Sequence, residues 1–485
     1  MLVSVNFLKM NKTTVRSLYD ARSVLVLINR KYSQKQDDFF KFYSDNGAFY
    51  GNHEPLTEQD YNRFFSKRSL RREPALTREM TKLAYKVGKD VISLAEGMPN
   101  EGVFPFTRID IELKGGGRLI TEGKELSAAL QYIPSQGMPS LLSELRTFQQ
   151  DLHRPPPLPQ PRDVIVTNGG QHGIYQCFDL LLEEGDPIIA TEYTYTGAYV
   201  ALKPYRPEII GIPEDENGMI PETLELVLTD RLSRGMKMPK MLYVIPTGSN
   251  PSGTVLPEDR RRKIYELACR FNFLIIEDDP YVFLNYNETN VPTFLSLDTC
   301  GRVIRIDSLS KVVSAGLRAG WVTAPKVVQQ KLELHMQTEL LHSCTLSQMI
   351  LHHIISHRDS LASHLKAGRD LYRRRRDALS IAVQGVTDLA DWSLPQAGLF
   401  FWLRVRGVED IYNMVFRTAF QRGLMVVPGQ AFSYDTSAPC QYVRLTFSRI
   451  SYEDMDIAVR HLADIIKEEQ QLTLQNQPQR LATER

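Results

Sequence analysis

The stretch IDSLSKVVSAGLRAGW, residues 306 to 321, decides how this chain is read. Lys311 stands at its centre, after Ser308 and Ser310 and before Arg318, so an amine nucleophile lies beside two hydroxyls and a guanidinium. The hydroxyls and the planar, permanently charged Arg fork suit a phosphate. A lysine amine condenses with an aldehyde. Pyridoxal phosphate carries both groups and asks for both partners. Ser314, Ala315, Gly316, Ala319 and Gly320 are small enough to let backbone and cofactor approach closely, and the step from Lys311 to Arg318 is a helical interval. Taken alone, the same stretch also reads as an amphipathic surface segment with one Lys and one Arg, so the surrounding chain has to decide.

On either side of it, short apolar runs alternate with helical stretches. DVIVT (163 to 167), PIIAT (187 to 191), EIIGI (208 to 212), MLYVIP (241 to 246), FLIIEDD (273 to 279), RVIRID (302 to 307) and GWVTAP (320 to 325) read as strands, with helices over 171–183 and 257–271 between them. VISLA at 91 to 95 adds a strand after a short helix, TREMTKLAYKV (77 to 87). Strands apolar throughout and separated by helices imply an α/β fold with a mainly parallel sheet covered on both faces. Ligands then belong at the carboxyl ends of the strands. Residues 326–384 read as long helices, and 385–468 as a smaller α+β unit closed by a helix over 452–468. The expected division is an N-terminal extension (1–60), a segment joining the small domain (61–96), a large domain (97–345), a C-terminal small domain (346–470) and a polar, frayed tail (471–485). PPPLPQP at 155 to 161 is a rigid connector between helix and strand.

With 485 residues, 42% of them hydrophobic, the chain can bury a large core in two or more domains. A net charge of +1 gives no reason to expect nucleic acid or an anionic membrane as partner. No apolar run approaches a membrane span. The five cysteines are scattered and form no CxxC pair, which suggests neither a disulfide framework nor zinc. The first 32 residues carry Lys9, Lys12, Arg16, Arg22, Arg30 and Lys31 against Asp20 alone, a transit-peptide composition, with RKYS at 30 to 33 resembling a mitochondrial processing site; the same stretch reads equally as a disordered extension, which would leave the chain cytoplasmic. The acidic, aromatic run from Gln34 to about Tyr61 has no clear period, and the core is expected to begin near Phe64.

Four further motifs each follow a strand. In VTNGGQHG (166 to 173) the free N–H groups of Gly170 and Gln171 open a helix, where a phosphate is the expected guest. In SNPSG (249 to 253) Asn250 can donate to a phenolate oxygen of the cofactor ring. In EDDPY (277 to 281) Asp278 would hold the pyridine nitrogen protonated, and Tyr281 would bond the same phenolate as Asn250. Tyr195 of TEYTYTG (191 to 197) can stack on the ring.

NGGQ, SNPSG, DDPY and SLSK with its distal Arg, in this order, resemble the fold type I PLP-dependent aminotransferases. SLAEGMPN, ALQYIPSQG, IIEDDPY, VPTFLSLD, GRVIR and YVRLTFS look most like the kynurenine/alpha-aminoadipate subgroup, and the likeness runs from about residue 61 to 468. It implies a homodimer taking amino acid and 2-oxo acid substrates, with Lys311 catalytic. It also implies that Arg444 forks the substrate α-carboxylate near Gly97 and Asn250, that Arg78 meets the distal end of the substrate, and that Tyr132 reaches into the neighbour's site. Two positions depart from the subgroup. Glu96 stands where Gly is common, and Gly170 replaces a phosphate-facing Ser while keeping its backbone N–H.

The expected reaction is ping-pong transfer of an amino group from kynurenine or 2-aminoadipate to 2-oxoglutarate. The alternatives are a broad aromatic or aliphatic aminotransferase and, more remotely, a PLP-dependent lyase or a PLP-domain regulator. The regulator would need a basic recognition helix, and the segment before the core is acidic. RRRR at 373 to 376 reads as a solvated helix face, and His352, His353 and His357 as surface or core histidines with no metal.

Overall fold

The computed structural model describes residues 53–87, 92, 94–95, 97–114, 117–287 and 291–483. The transit-peptide stretch, the run up to Asn52 and Glu96 lie outside the described residues. So do Val91 and Ser93 of the expected VISLA strand; Ile92, Leu94 and Ala95 carry no strand.

A hairpin of β1 (Arg108–Glu112) and β2 (Arg118–Glu122) precedes the main sheet. That sheet contains β3 (Arg162–Thr167), β4 (Pro187–Thr191), β5 (Glu208–Ile212), β8 (Met241–Val244), β9 (Leu274–Asp278), β10 (Val303–Ser308) and β11 (Gly320–Pro325), in the order β3-β11-β10-β9-β8-β4-β5. A two-residue hairpin, β6 (Glu214–Asp215) and β7 (Gly218–Met219), leads out of β5. β11 is antiparallel to both its neighbours, and the pairings from β10 to β5 are parallel. Both faces of the sheet are covered, as the two-sided apolar strands require. Tyr243, Ile276 and Ile304 face one apolar cluster with helix Gly170–Leu181. Leu242, Ile275 and Val303 face another with helix Glu258–Phe271.

The second sheet is antiparallel, in the order β12 (Ala390–Trp392), β13 (Phe400–Val405), β15 (Tyr442–Thr446), β14 (Val427–Pro428). Leu379 and Leu462, from helices Arg358–Ala382 and Tyr452–Thr483, are buried in the cluster that holds Phe401, Leu403 and Val443 of this sheet.

Four local expectations need correction. The last helix runs to Thr483 rather than 468, because Gln and Leu, both good helix formers, continue the stretch. Lys311 lies on a turn and Arg318 on irregular chain, not on a helix: Ser308 pairs with Gly320 across β10 and β11, so residues 309–319 must reverse the chain. The core begins before Phe64. Thr57 and Asp60 form a capping box on helix Glu58–Tyr61, and Tyr61 is buried with its hydroxyl donating to the Gly301 carbonyl at 2.6 Å. Finally, Arg373 and Arg374 face solvent, but Arg375 donates to the Phe447 carbonyl at 2.7 Å and Arg376 lies over the Tyr286 ring. Helical periodicity turns half of that basic run toward the small sheet.

The central parallel pair hides an ion cluster. Arg305, fully buried on β10, lies 3.1 Å from Glu277, 3.2 Å from Asp279 and 2.8 Å from Asp307. Gln149 donates to Asp307 at 2.6 Å, and Glu277 accepts the backbone N–H groups of Phe294 and Leu295. Burial pushes the Asp279 carboxyl upward, and Arg305 opposes that shift.

Candidate active site

The carboxyl ends of β3, β4, β8, β9 and β10 converge on one edge, and antiparallel β11 starts there. At the end of β3, Gly169 caps helix Gly170–Leu181 with φ of 81°. A Cβ on Gly169 would meet the Arg318 guanidinium at 2.4 Å, and one on Gly320 would meet the Gly170 nitrogen at 2.9 Å. Only glycine lets Arg318 lie across the helix N-terminus. Arg318, itself at φ 48°, donates to the Ala315 carbonyl at 3.1 Å. Gly170 faces Ser308, whose hydroxyl lies 2.8 Å from that of Ser310. Unpaired helix N–H groups, two hydroxyls and a guanidinium thus share one corner. Gln171 donates to the Gly197 carbonyl at 2.9 Å and leaves its own buried side-chain oxygen without a partner.

Asp278 ends β9, and its Oδ2 accepts the Tyr243 hydroxyl at 2.6 Å. Burial raises the Asp278 carboxyl to about 6, while Tyr243 and Lys311 pull it down. The Lys311 amine lies 5.8 Å from the centre of the Tyr281 ring. Burial lowers its pKa, Asp278 works against that, and Arg444 and Arg318 add to the lowering. Tyr195 is raised by burial and then by Asp278, while Arg318 and Arg444 lower it, which places its hydroxyl among these groups.

Asn250 accepts from Arg444 Nη1 at 2.8 Å. The Arg444 guanidinium lies 4.0 Å from the Phe400 ring centre and 4.7 Å from that of Phe432. Burial brings Arg444 down to about 10, which leaves it charged at neutral pH, and its buried Nε has no partner.

Gly170, Gln171, Tyr195, Asn250, Asp278, Tyr281, Ser308, Ser310, Lys311, Arg318 and Arg444 therefore gather at one edge of the sheet. Arg78 and Tyr132 form a separate group. Arg78 donates to the Ile133 carbonyl at 2.5 Å and lies 3.4 Å from the Ser135 hydroxyl, while Tyr85 donates to the Tyr132 carbonyl at 3.0 Å. Among the described residues, no hydrogen bond or ion pair of Arg78 reaches the Lys311 group. Gly97 is exposed, with open space around it. Sequence reasoning missed Tyr243, Gly169 and the two rings under Arg444. Tyr243 had a signal: it is a hydroxyl inside an apolar strand, paired with Ile276, two residues from Asp278 on the same face.

The sequence model of the family "Aminotransferase class I and II" matches residues 89–462, and the chain belongs to that family. It is an aminotransferase, and its cofactor is pyridoxal 5′-phosphate. Among its relatives, the rat protein "Kynurenine/alpha-aminoadipate aminotransferase, mitochondrial" is 40% identical over 422 residues, 84% of this chain and 99% of that one. A solved structure of Pyrococcus horikoshii kynurenine aminotransferase, in complex with PMP and kynurenine, is 30% identical with a TM-score of 0.68, covering 84% of this chain and 98% of that one. Candida albicans aminotransferase Aro8 is 24% identical, with a TM-score of 0.76 over 86% and 99% of the two chains, and supports the fold. The residues at the sheet edge fit the cofactor. Gly169 leaves the helix N-terminus open under Arg318, a carboxylate is held by Tyr243, and an amine of lowered pKa stands near both.

Tyr243→Phe removes the donor that favours the ionised form of Asp278, so the Asp278 pKa should rise from about 6. A hydrogen bond to a charged group is worth roughly 1.5–3 kcal/mol, or about 1–2 pH units. Infrared titration of the carboxylate band, with Asp278→Asn identifying the signal, should show that upward move; an unchanged midpoint would remove Tyr243 from this role.

Proposed function

We propose that this aminotransferase moves the amino group of kynurenine or 2-aminoadipate to 2-oxoglutarate by ping-pong half reactions. The observation that carries the reading is the pairing of Arg444 with Asn250, 2.8 Å apart, on the edge that also holds Lys311 and Asp278. The cofactor supplies, when bound, an aldehyde carbon and a ring that takes up negative charge. Asp278 would partner the ring nitrogen and keep its proton in place. Ser308, Ser310, Arg318 and the N–H groups of Gly170 and Gln171 would hold the phosphate. Asn250 and Tyr281 would share the phenolate oxygen, and Tyr195 would cover the ring. Arg444 forks the α-carboxylate, the group common to every amino donor. The Lys311 amine, once free, would take the proton from the substrate Cα and deliver it to the carbon on the other side of the nitrogen, two bonds away; its lowered pKa leaves more of the amine unprotonated for that role.

The 40% identical rat relative supports the substrate class, and its name also supports a mitochondrial address for this chain. Arg78 reads the distal carboxylate of 2-aminoadipate and 2-oxoglutarate, and its guanidinium plane accepts an aromatic side chain instead. Gly97 lies along the substrate, and Tyr132 enters the site of a second copy. Helix Leu76–Val87 supports that dimer: it exposes Leu76, Met80, Leu83 and Val87, and Ile92 and Leu94 beyond it are almost fully exposed. Residues 97–345 and 346–470 form the large and small domains of each copy.

Borohydride reduction of the holoenzyme followed by peptide mapping should label Lys311, and Lys311→Ala should lose turnover with its circular dichroism intact. Label on any other lysine would mean that the reactive amine is misassigned.

Arg444→Ala should raise KM for every amino donor. Arg78→Ala should cost 2-aminoadipate and 2-oxoglutarate more than kynurenine or an aliphatic donor, by about 2–5 kcal/mol for a desolvated charge pair broken on one side. Equal losses across a donor panel would remove Arg78 from the distal site.

Sedimentation should give twice the chain mass, and residues 1–32 fused to a fluorescent reporter should carry it into mitochondria. A monomer, or a diffuse reporter, would defeat the respective reading.

A further inference from the structure

Between the end of β4, the β6–β7 hairpin and the small sheet lies a cavity of about 310 Å3 that the transamination chemistry does not use. Its size is that of a small-molecule site. One wall is aromatic. Trp402 and Tyr442 stack with centres 4.9 Å apart and planes 4° apart, and Tyr193 lies 5.4 Å from the first and 5.3 Å from the second. Grouped rings present negative faces and edges that suit a cation.

The other wall is acidic, and its charge is only partly matched. Asp215 pairs with Arg260 at 2.6 Å and Asp391 pairs with Arg406. Among the described residues, Glu192, Glu214 and Glu216 are in no ion pair, while Arg404, also on the lining, bonds to Gln441 at 3.0 Å. Burial pushes Glu214 up to about 8, against a hydrogen bond with Ser249 and with Asp215 and Glu192 adding to the rise, so it is largely neutral near pH 7 and the unmatched negative charge rests on Glu192 and Glu216. The cavity therefore holds negative potential beside π surfaces. An anion would be repelled. Among the described residues no three His, Cys, Asp or Glu side chains are placed to hold a metal ion, so the carboxylates do not converge as a metal would need. What remains is a cation with an apolar body.

We propose that this cavity binds an organic cation, an ammonium or guanidinium on a small apolar frame, at a site separate from the catalytic edge. Tyr193 and the glutamates come from the main sheet's loops, and Trp402 and Tyr442 from the small sheet, so the occupant bridges the two. Trp402 also faces Arg444 across the β13–β15 pairing and meets Phe432, over which Arg444 lies.

The test is calorimetric titration of the full-length holoenzyme with choline, beside its uncharged carbon isostere 3,3-dimethylbutan-1-ol, at constant ionic strength. Choline should bind saturably at one site per chain, at least tenfold more tightly than the alcohol, and should stay bound when an amino donor saturates the enzyme. Glu192→Gln with Glu216→Gln, an isosteric change at two exposed positions, should weaken choline at least tenfold and leave turnover unchanged. Tyr442→Leu should weaken it likewise and report on the rings independently of the charges. No saturable choline binding, equal binding of the alcohol, displacement by the amino donor, or folded variants that bind choline like the parent would each overturn the proposal.

Discussion

The direction in which Asp278 points at the sheet edge depends on Arg305 and the three carboxylates around it. Arg305 stands opposite Glu277 in the parallel pairing of β9 and β10. Because side chains alternate along a strand, Glu277 and Asp279 turn to the Arg305 face and Asp278, between them, turns to the other. A slip of one residue would send Asp278 into the ion cluster and an extra carboxylate into the site. The cluster acts as a register lock more than as a source of net stability. Buried ion pairs often gain little over apolar side chains of the same volume, yet losing one partner of such a pair costs about 3–5 kcal/mol. Three carboxylates around one guanidinium make the correct pairing far less costly than its neighbours in register.

With that register set, the chemistry is a balance of opposed shifts. Asp278 is raised by burial and held down by the Tyr243 hydroxyl and by Lys311. Lys311 is lowered by burial and by two arginines, and held up by Asp278. Each group favours the charged form of the other, so burial shifts neither as far as it would alone. The antiparallel strand β11 completes the edge. Had it run parallel, its start would lie at the far end of the sheet; as it is, Arg318 arrives beside Gly169.

The small sheet contributes through one face of β13 and β15. Phe400, Trp402 and Arg404 lie opposite Thr446, Arg444 and Tyr442 in register, so all six share a face. Toward one end, Arg444 reaches Asn250 with Phe400 beneath it. Toward the other, Trp402 and Tyr442 stack above an acidic cavity. One face thus carries both a half-buried guanidinium and a cation-attracting ring pair, with Phe432 touching Arg444 and Trp402.

What the sequence determined by itself was the set of strands in the main sheet and the residues that follow them, since each is a local pattern: an apolar run, a turn residue, a chemically loaded side chain. Lys311, Asp278, Asn250 and the NGGQ loop were legible for that reason, and so was the mainly parallel sheet. Tertiary structure alone decided the Tyr243–Asp278 bond, which spans residues distant in sequence and rests on strand order. It also decided the non-helical stretch that carries Lys311 and Arg318, which follows from the reversal between β10 and β11 and not from residue spacing. The same holds for the inward half of RRRR, for the early start of the core at Tyr61, and for the cavity between the sheets. Each of these depends on which surfaces meet, and a residue pattern records what a segment can bury without naming what it will be buried against.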